Sequence, residues 1–393
     1  MSKYDKAGLA MIPSGYKASK VYSLIPNSSV GDFDFTRAST ATRINKDGLI
    51  DTVASGVPRL EYPIINGIVG DTPSLLLEPS RTNLLIDSED FTSNWNLDGV
   101  TVLSNNVISP DGTLNADKIT FVSGNERLYY IVSTTSAVFS IYLKGVIGEQ
   151  VKIRDASGVI VTTVTLTENW ERYEVFINQS NSNIQIENIN AEYVYAFGAQ
   201  LESGAYSTSY IPTSGSSVTR ATETCIDSGS TSEINSQEGV LFCEIASNSE
   251  TADTRQVISL GDGSSGDNRV SIEYNSGTTN EIRLQLRTST LQASVDHTVD
   301  STKTFHKVVG RYKLNDVQLW IDGFRVGRDQ TSDVSAVDAL QVLSFRIPAS
   351  SYFFGRCKQV ISFKEYLTDS EIEDLTSWDS FNEMATAQEY IIK

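Results

Sequence analysis

Leu75–Phe91 reads LLLEPSRTNLLIDSEDF. The run Leu75-Leu76-Leu77 is long enough only for a buried strand, and Pro79 stops it. Ser80-Arg81-Thr82-Asn83 is polar turn material, Leu84-Leu85-Ile86 resumes the apolar run, and Asp87-Ser88-Glu89-Asp90 ends it with charge. The expectation is a buried strand, a corner and a second buried strand, with the rest of the chain arranged around them.

Outward from this stretch lies an ordered string of short motifs. Phe35-Thr36-Arg37-Ala38-Ser39-Thr40-Ala41-Thr42-Arg43 comes first, then Gly48-Leu49-Ile50, then Val57-Pro58-Arg59-Leu60, then Leu76-Leu77-Glu78-Pro79-Ser80-Arg81-Thr82-Asn83-Leu84-Leu85. The string resembles a module of tailed-bacteriophage fibre and virion appendage proteins. There it commonly precedes a carbohydrate-binding-type jelly roll and a concanavalin A-like domain. Fold and family do not fix function, so activity has to be argued from sites.

Bulk properties narrow the classes. The 393 residues suggest two or three domains. Hydrophobic content is 39%, with abundant Ser, Thr, Asn and Gly, which favours an all-β chain with many turns. The formal charge of −18 repels phosphate backbones, so nucleic-acid binding is not expected, and it disfavours anionic membranes. No stretch approaches the roughly 20 apolar residues of a membrane span. Cys225, Cys243 and Cys357 form no CxxC pair and are expected to be isolated buried thiols, which fits assembly in a reducing cytoplasm. Met1-Ser2-Lys3-Tyr4-Asp5 leads into no apolar segment of the kind a signal peptide needs.

Residues 1–31 show no period, with extended or turn-like pieces at Met11-Ile12-Pro13 and Leu24-Ile25-Pro26. They are expected to be an arm that orders against a partner, and the resemblance implies that other virion proteins are that partner. Residues 32–88 form a β module too small to stand alone. Thr36-Arg37-Ala38 recurs as Thr219-Arg220-Ala221. The echo suggests two equivalent strands flanking a looped-out domain, the module then completing the C-terminal sandwich.

Residues 89–213 alternate with period two. Phe139, Ile141 and Leu143 face away from Ser140, Tyr142 and Lys144, and Tyr193, Tyr195 and Phe197 face away from Val194 and Ala196. From Trp95 through Trp170-Glu171-Arg172-Tyr173 to Ser209-Tyr210-Ile211-Pro212-Thr213, the segment resembles the jelly roll of family-4/9-type carbohydrate-binding modules. Ser214-Gly215-Ser216-Ser217 is a short join. Residues 214–378 resemble a laminin-G/concanavalin A-like sandwich, most specifically in Val317-Gln318-Leu319-Trp320-Ile321-Asp322-Gly323-Phe324-Arg325-Val326, a strand, Asp-Gly turn and return strand. Thr368 and Glu371 make a capping box for a short helix through Ile372 and Leu375. Residues 379–393 are a polar tail. The fold expected is therefore all-β: an N-terminal extended arm and β module, then two antiparallel β-sandwiches, a jelly roll and a concanavalin A-like domain.

Catalytic patterns are poor. His297 and His306 are the two histidines, and neither HExxH nor GxSxG occurs. Glycoside hydrolysis needs two carboxylates across a sugar bond, and the glucanase pattern Glu-x-Asp-x-x-Glu has no match. No enzyme activity is expected. Sugar binding needs less: an aromatic platform with polar neighbours, sometimes a calcium ion. Trp320 with Gln318 is the leading candidate, followed by Tyr193, Tyr195 and Trp95, then Tyr129 and Tyr130. Asp262, Asp267 and Asp322 are the candidate oxygens for a structural calcium. The function expected is a non-enzymatic virion fibre or fibre-like appendage, a homotrimer by resemblance, adhering to host cell-surface polysaccharide. The rivals are a non-adhesive decoration or connector protein of the virion and a secreted bacterial carbohydrate-binding protein or glycosidase accessory module.

Overall fold

The computed structural model describes residues 3–377, apart from 66, 123, 135, 156, 159–160, 178–180 and 253–254. The expected C-terminal tail lies outside the described residues. The fold is all-β, with antiparallel sheets and a single α-helix, Asp369–Thr376, among the described residues.

Alternation sets the faces of the jelly roll. One five-stranded sheet runs in the order Val100–Ile108, Leu114–Phe121, Tyr193–Ser203, Ala137–Gly145, Glu171–Ile177. The other runs Trp95–Asp98, Arg127–Thr134, Asn181–Asn188, Gln150–Asp155, Val161–Thr165. Phe139, Ile141 and Leu143 point between them and meet Ile119, Ile153, Ile186 and Leu201 in one buried core. The intervening Tyr142 and Lys144 are left on the outer face, as period-two geometry requires.

The second sandwich is larger than residues 214–378. Its eight-stranded sheet orders Phe324–Asp329, Asp316–Ile321, His306–Lys313, Gly239–Ser247, Gly355–Phe363, Ser74–Leu77 and Arg59–Glu61, and Ala7–Met11 also pairs with Gly355–Phe363. A five-stranded sheet faces it: Thr290–Thr298, Glu281–Thr288, Asn268–Tyr274, Gln256–Gly261, Val342–Ser344. Leu9, Met11, Leu75 and Leu77 share the core with Leu241, Ile272, Leu284 and Leu319. The chain thus starts in this sandwich, leaves it after Leu77, builds the jelly roll and returns at Gly239.

Two paired segments fasten the exit to the return. Arg81–Asn83 pairs with Val218–Arg220, and Phe33–Thr36 pairs with Thr224–Ile226. The repeated Thr-Arg-Ala segments therefore lie on opposite sides of the excursion without pairing to each other. Each sends its arginine into one buried ionic cluster. Arg37 Nη1 donates to Glu223 Oε1 at 2.7 Å, and Arg59 bonds both Glu223 and Glu78, the latter at 2.8 Å. Arg220 Nη1 lies 3.0 Å from Glu78 Oε2. None of these five side chains is more than 4% exposed. Burial would raise the Glu78 carboxyl, but Arg220, Arg59 and the bonds from Ser209 outweigh it and hold the group far below the usual carboxylate range.

Two expectations are corrected. Residues 3–31, expected to order against a partner, pack on their own chain. Leu9, Met11 and Val21 are fully buried, because the edge of the larger sheet offers Ala7–Met11 a hydrogen-bonding partner and a core. Around Leu75–Phe91, the expected turn Arg81–Asn83 is the strand, and Leu84–Ile86 is not. The reason is Asn83, which is fully buried. Its Nδ2 donates to the carbonyls of Ala199 and Ile211, at 3.2 and 3.0 Å, and its Oδ1 accepts from the amides of Leu85 and Leu201, at 3.1 and 3.0 Å. These four bonds direct the backbone into the jelly roll where an apolar strand was expected.

Deleting residues 1–31 is therefore expected to lower the midpoint of urea unfolding, because it exposes the Gly355–Phe363 edge and removes core. Glu223→Gln is expected to cost about 3–5 kcal/mol in the same assay, since it leaves buried guanidinium charge without its partner. The depressed Glu78 pKa fixes the pH sign. Its contribution is full above the ordinary carboxylate value of about 4.5 and is lost as pH falls below it, so acid unfolding should be less steep in Glu78→Gln.

Candidate saccharide-binding face

The structure separates the aromatic candidates into core and surface. Trp320 is 3% exposed. As its alternation implies, it points away from Val317, Leu319 and Ile321, which fill the sandwich core. The outer face of the sheet is covered, however. The helix Asp369–Thr376 lays Ile372 and Leu375 over Val240, Phe242, Val309 and Trp320. Thr368 and Glu371 do form the reciprocal cap that starts this helix. Gln318 is also buried, accepting from Trp320 Nε1 at 3.3 Å and from Arg311. Trp320 and Gln318 are therefore structural. Trp95 is 5% exposed and packs at 5.2 Å against both Phe91 and Tyr130, so both Trp95 and Tyr130 belong to the jelly-roll core. Tyr129 lies half-buried on the surface beneath Arg127.

The carboxylates are engaged locally. Asp262 Oδ1 accepts from the amides of Ser264, Ser265 and Gly266, which hold its carboxyl well below the usual range despite burial. Asp267 is exposed in the same loop. Asp322 bonds His306 Nδ1 at 2.6 Å and the Lys307 amide at 2.8 Å. The three do not form one ligand set, and no cluster of three or more His, Cys, Asp or Glu suited to a metal occurs among the described residues. Both His306 nitrogens face acceptors, Asp322 Oδ2 and the Ser301 carbonyl, an arrangement that favours the protonated ring. Burial opposes that charge, but these bonds outweigh it and raise its pKa.

Tyr193 and Tyr195 remain, and register builds a site around them. Both are half-buried on the outer face of the jelly-roll sheet, with Val194 and Ala196 turned inward. Tyr195 sits directly between Lys118 on one neighbouring strand and Lys144 on the other. The two tyrosine rings meet edge to face at 5.2 Å. The Lys118 ammonium lies 4.0 Å from the Tyr193 centroid, and that of Lys144 lies 4.9 Å from Trp170 and 5.7 Å from Tyr195. Burial lowers the Lys144 pKa. The result is a row in the order Tyr193, Tyr195, Trp170, with the Lys118 ammonium over Tyr193 and that of Lys144 between Tyr195 and Trp170. Ring faces stack on the C–H faces of sugars, and the ammonium groups supply donors for hydroxyls or acidic substituents.

The hairpin Ala41–Ile44 and Ile50–Val53 limits this face. Ile50 packs on Ala116, Phe197 and Tyr210, with Tyr142 and Trp170 against the same cluster. Phe197 is thereby buried, although its alternation is that of Tyr193 and Tyr195. Trp170 was missed as a site residue because it stands just before Glu171–Ile177, where no alternation assigns it a face. Its indole donates to the Ile108 carbonyl at 3.0 Å, which fixes it beside Lys144.

No family model matches the chain, and no curated protein does either. Solved structures similar to it are β-sandwich modules. The CBM40 of the Ruminococcus gnavus IT-sialidase bound to α2,3-sialyllactose is 15% identical, covering 36% of this chain and 83% of its own, with a TM-score of 0.31. Domain 4 of AbnA, a GH43 extracellular arabinanase from Geobacillus stearothermophilus in complex with arabinotriose, is 13% identical, covering 44% and 83%, with a TM-score of 0.32. Mouse laminin α1 chain domains LG4-5 are 9% identical, covering 70% and 89%, with a TM-score of 0.24. Likeness this remote carries no argument about ligand or activity.

Truncation separates the two kinds of aromatic. Trp320→Ala is expected to cost about 3–5 kcal/mol of unfolding free energy, as for a tryptophan removed from a core. Tyr195→Ala, on an open face, is expected to leave the thermal midpoint close to that of the unsubstituted chain.

Proposed function

We propose that the chain is a non-enzymatic structural protein of a tailed-phage virion, a fibre-like appendage that holds host surface glycans on the outer face of its jelly roll. The observation that carries the glycan part is the row Tyr193, Tyr195, Trp170 interleaved with Lys118 and Lys144. It offers aromatic rings beside cationic donors on the outer face of a five-stranded sheet. Sugars are bound weakly per contact and need such pre-set surfaces, because little can be spent on ordering the protein. The appendage part rests on the motif string from Phe35 to Leu85, which resembles fibre modules. Two sandwiches in series, fastened through buried charge, suit a part that must transmit force without opening.

The test is binding of labelled full-length protein to an array of bacterial capsular and lipopolysaccharide glycans, beside the Tyr195→Ala/Lys144→Gln variant. Saturable binding that falls at least about tenfold in the folded variant is expected. An absence of binding by the folded wild-type chain would instead make the sandwiches spacers in a decoration or connector protein.

A further inference from the structure

A cleft of about 360 Å³ lies on the other side of the hairpin, where the jelly roll meets the larger sandwich. That volume is within the roughly 300–1,000 Å³ of small-molecule sites. Its walls come from separate parts of the chain: Arg43 on the hairpin, Tyr142, Arg172 and Tyr206 on the jelly roll, Lys303 and Arg356 on the larger sandwich. We propose that this cleft is a second saccharide site, independent of the tyrosine row, and that it takes a sugar bearing a carboxylate.

The charges that line the cleft decide its sign. Arg356 is bonded to Glu61 at 2.7 Å, Arg43 to Asp51 at 3.0 Å, and Glu78 to Arg59 and Arg220. Those charges are spent. Arg172 is bonded only to neutral groups, the Thr208 carbonyl at 2.7 Å and Ser140 Oγ at 2.8 Å, and its buried Nε has no partner among the described residues. Lys303 is exposed, and its ammonium makes no ion pair among the described residues. Glu174 is the one carboxylate left, accepting from Ser207 Oγ. Two cations therefore stand against one anion, in a chain whose formal charge is −18.

The remaining lining suits a sugar. The hydroxyls of Tyr142 and Tyr206 make no hydrogen bond among the described residues, although both side chains line the cleft. Burial pushes the Tyr206 hydroxyl up to about 12 and raises that of Tyr142, so both stay neutral and can donate as well as accept. The Tyr142 ring lies beneath the Arg172 guanidinium at 5.5 Å. Paired hydroxyl partners, an aromatic ring and a single free ammonium match a polyhydroxylated ring with one carboxylate. A phosphate dianion would ask for two uncompensated charges, whereas Arg172 and Lys303 set against Glu174 leave one.

The experiment is calorimetric titration of the full chain with tetragalacturonate and, separately, with maltotetraose. Tetragalacturonate is expected to bind at least about tenfold more tightly. Lys303→Gln and Tyr142→Phe should each weaken it several-fold with no change in thermal midpoint, and Tyr195→Ala should leave it unchanged. Equal affinity for the two oligosaccharides, or no binding by the folded wild-type chain, overturns the proposal. So does binding that survives Lys303→Gln and is lost in Tyr195→Ala, which would move the acidic sugar to the tyrosine row. Failure of glycan adhesion through that row leaves these outcomes unaffected.

Discussion

Arg37, Arg59, Glu78, Arg220 and Glu223 are scattered through the sequence and meet almost wholly buried, with Glu78 at the edge of the cleft. Bringing such groups together costs several kcal/mol of desolvation per ion, which their mutual attraction roughly offsets. The cluster is therefore a poor source of net stability and a strong source of uniqueness. Any docking of hairpin, sheet edge and return strand that misplaces one member leaves a charge buried alone. Glu78 and Glu223 each serve two arginines, and the Glu78 amide donates to Glu223 at 2.9 Å, so the fastening is one connected unit. Through Ser209, which bonds Glu78, Arg59 and Arg220, it also ties the end of the jelly roll to the larger sheet.

Much of this was legible, and the failures have physical reasons. Period-two alternation gave both sandwiches and the correct outward face for Tyr193 and Tyr195, since a strand has only two faces. The cap at Thr368 and Glu371 was legible because it is a local contact between residues three apart. Alternation also put Trp320 on the correct side of its sheet, but it says nothing about what lies over that side. The helix that buries Trp320 is distant in sequence, and only its packing reveals the contact. Residues 1–31 misled for a similar reason: a short segment without period looks unable to bury itself, and here it borrows the core of a strand near the other end.

The Thr-Arg-Ala, Pro-Arg and Leu-Glu-Pro segments stood out by resemblance alone, and the sequence offered no chemistry for them. The structure supplies it: each contributes a member of the buried cluster. Asn83 is the parallel case among neutral groups. A polar residue between two apolar runs reads as a turn, yet all of its amide capacity is satisfied inside the protein. Lys118, Lys144 and Trp170 were overlooked because lysines on strands read as solvated decoration and Trp170 lies outside the alternation. Their meaning arises only when register sets three strands side by side.

The route of the chain through the larger sheet has a consequence for its synthesis. Leu77 pairs with Gly355, so 277 intervening residues must be made before the Ser74–Leu77 strand gains its second neighbour. The jelly roll, in contrast, closes on itself from segments that emerge together. At about 5–20 residues per second, the Leu75-Leu76-Leu77 strand waits roughly tens of seconds for the Gly355–Phe363 strand that completes its pairing. During that wait one edge is already paired with Arg59–Glu61, while the edge that Gly355–Phe363 will cover stays open and apolar. The delay is a kinetic burden set by topology, separate from the stability of the finished fold.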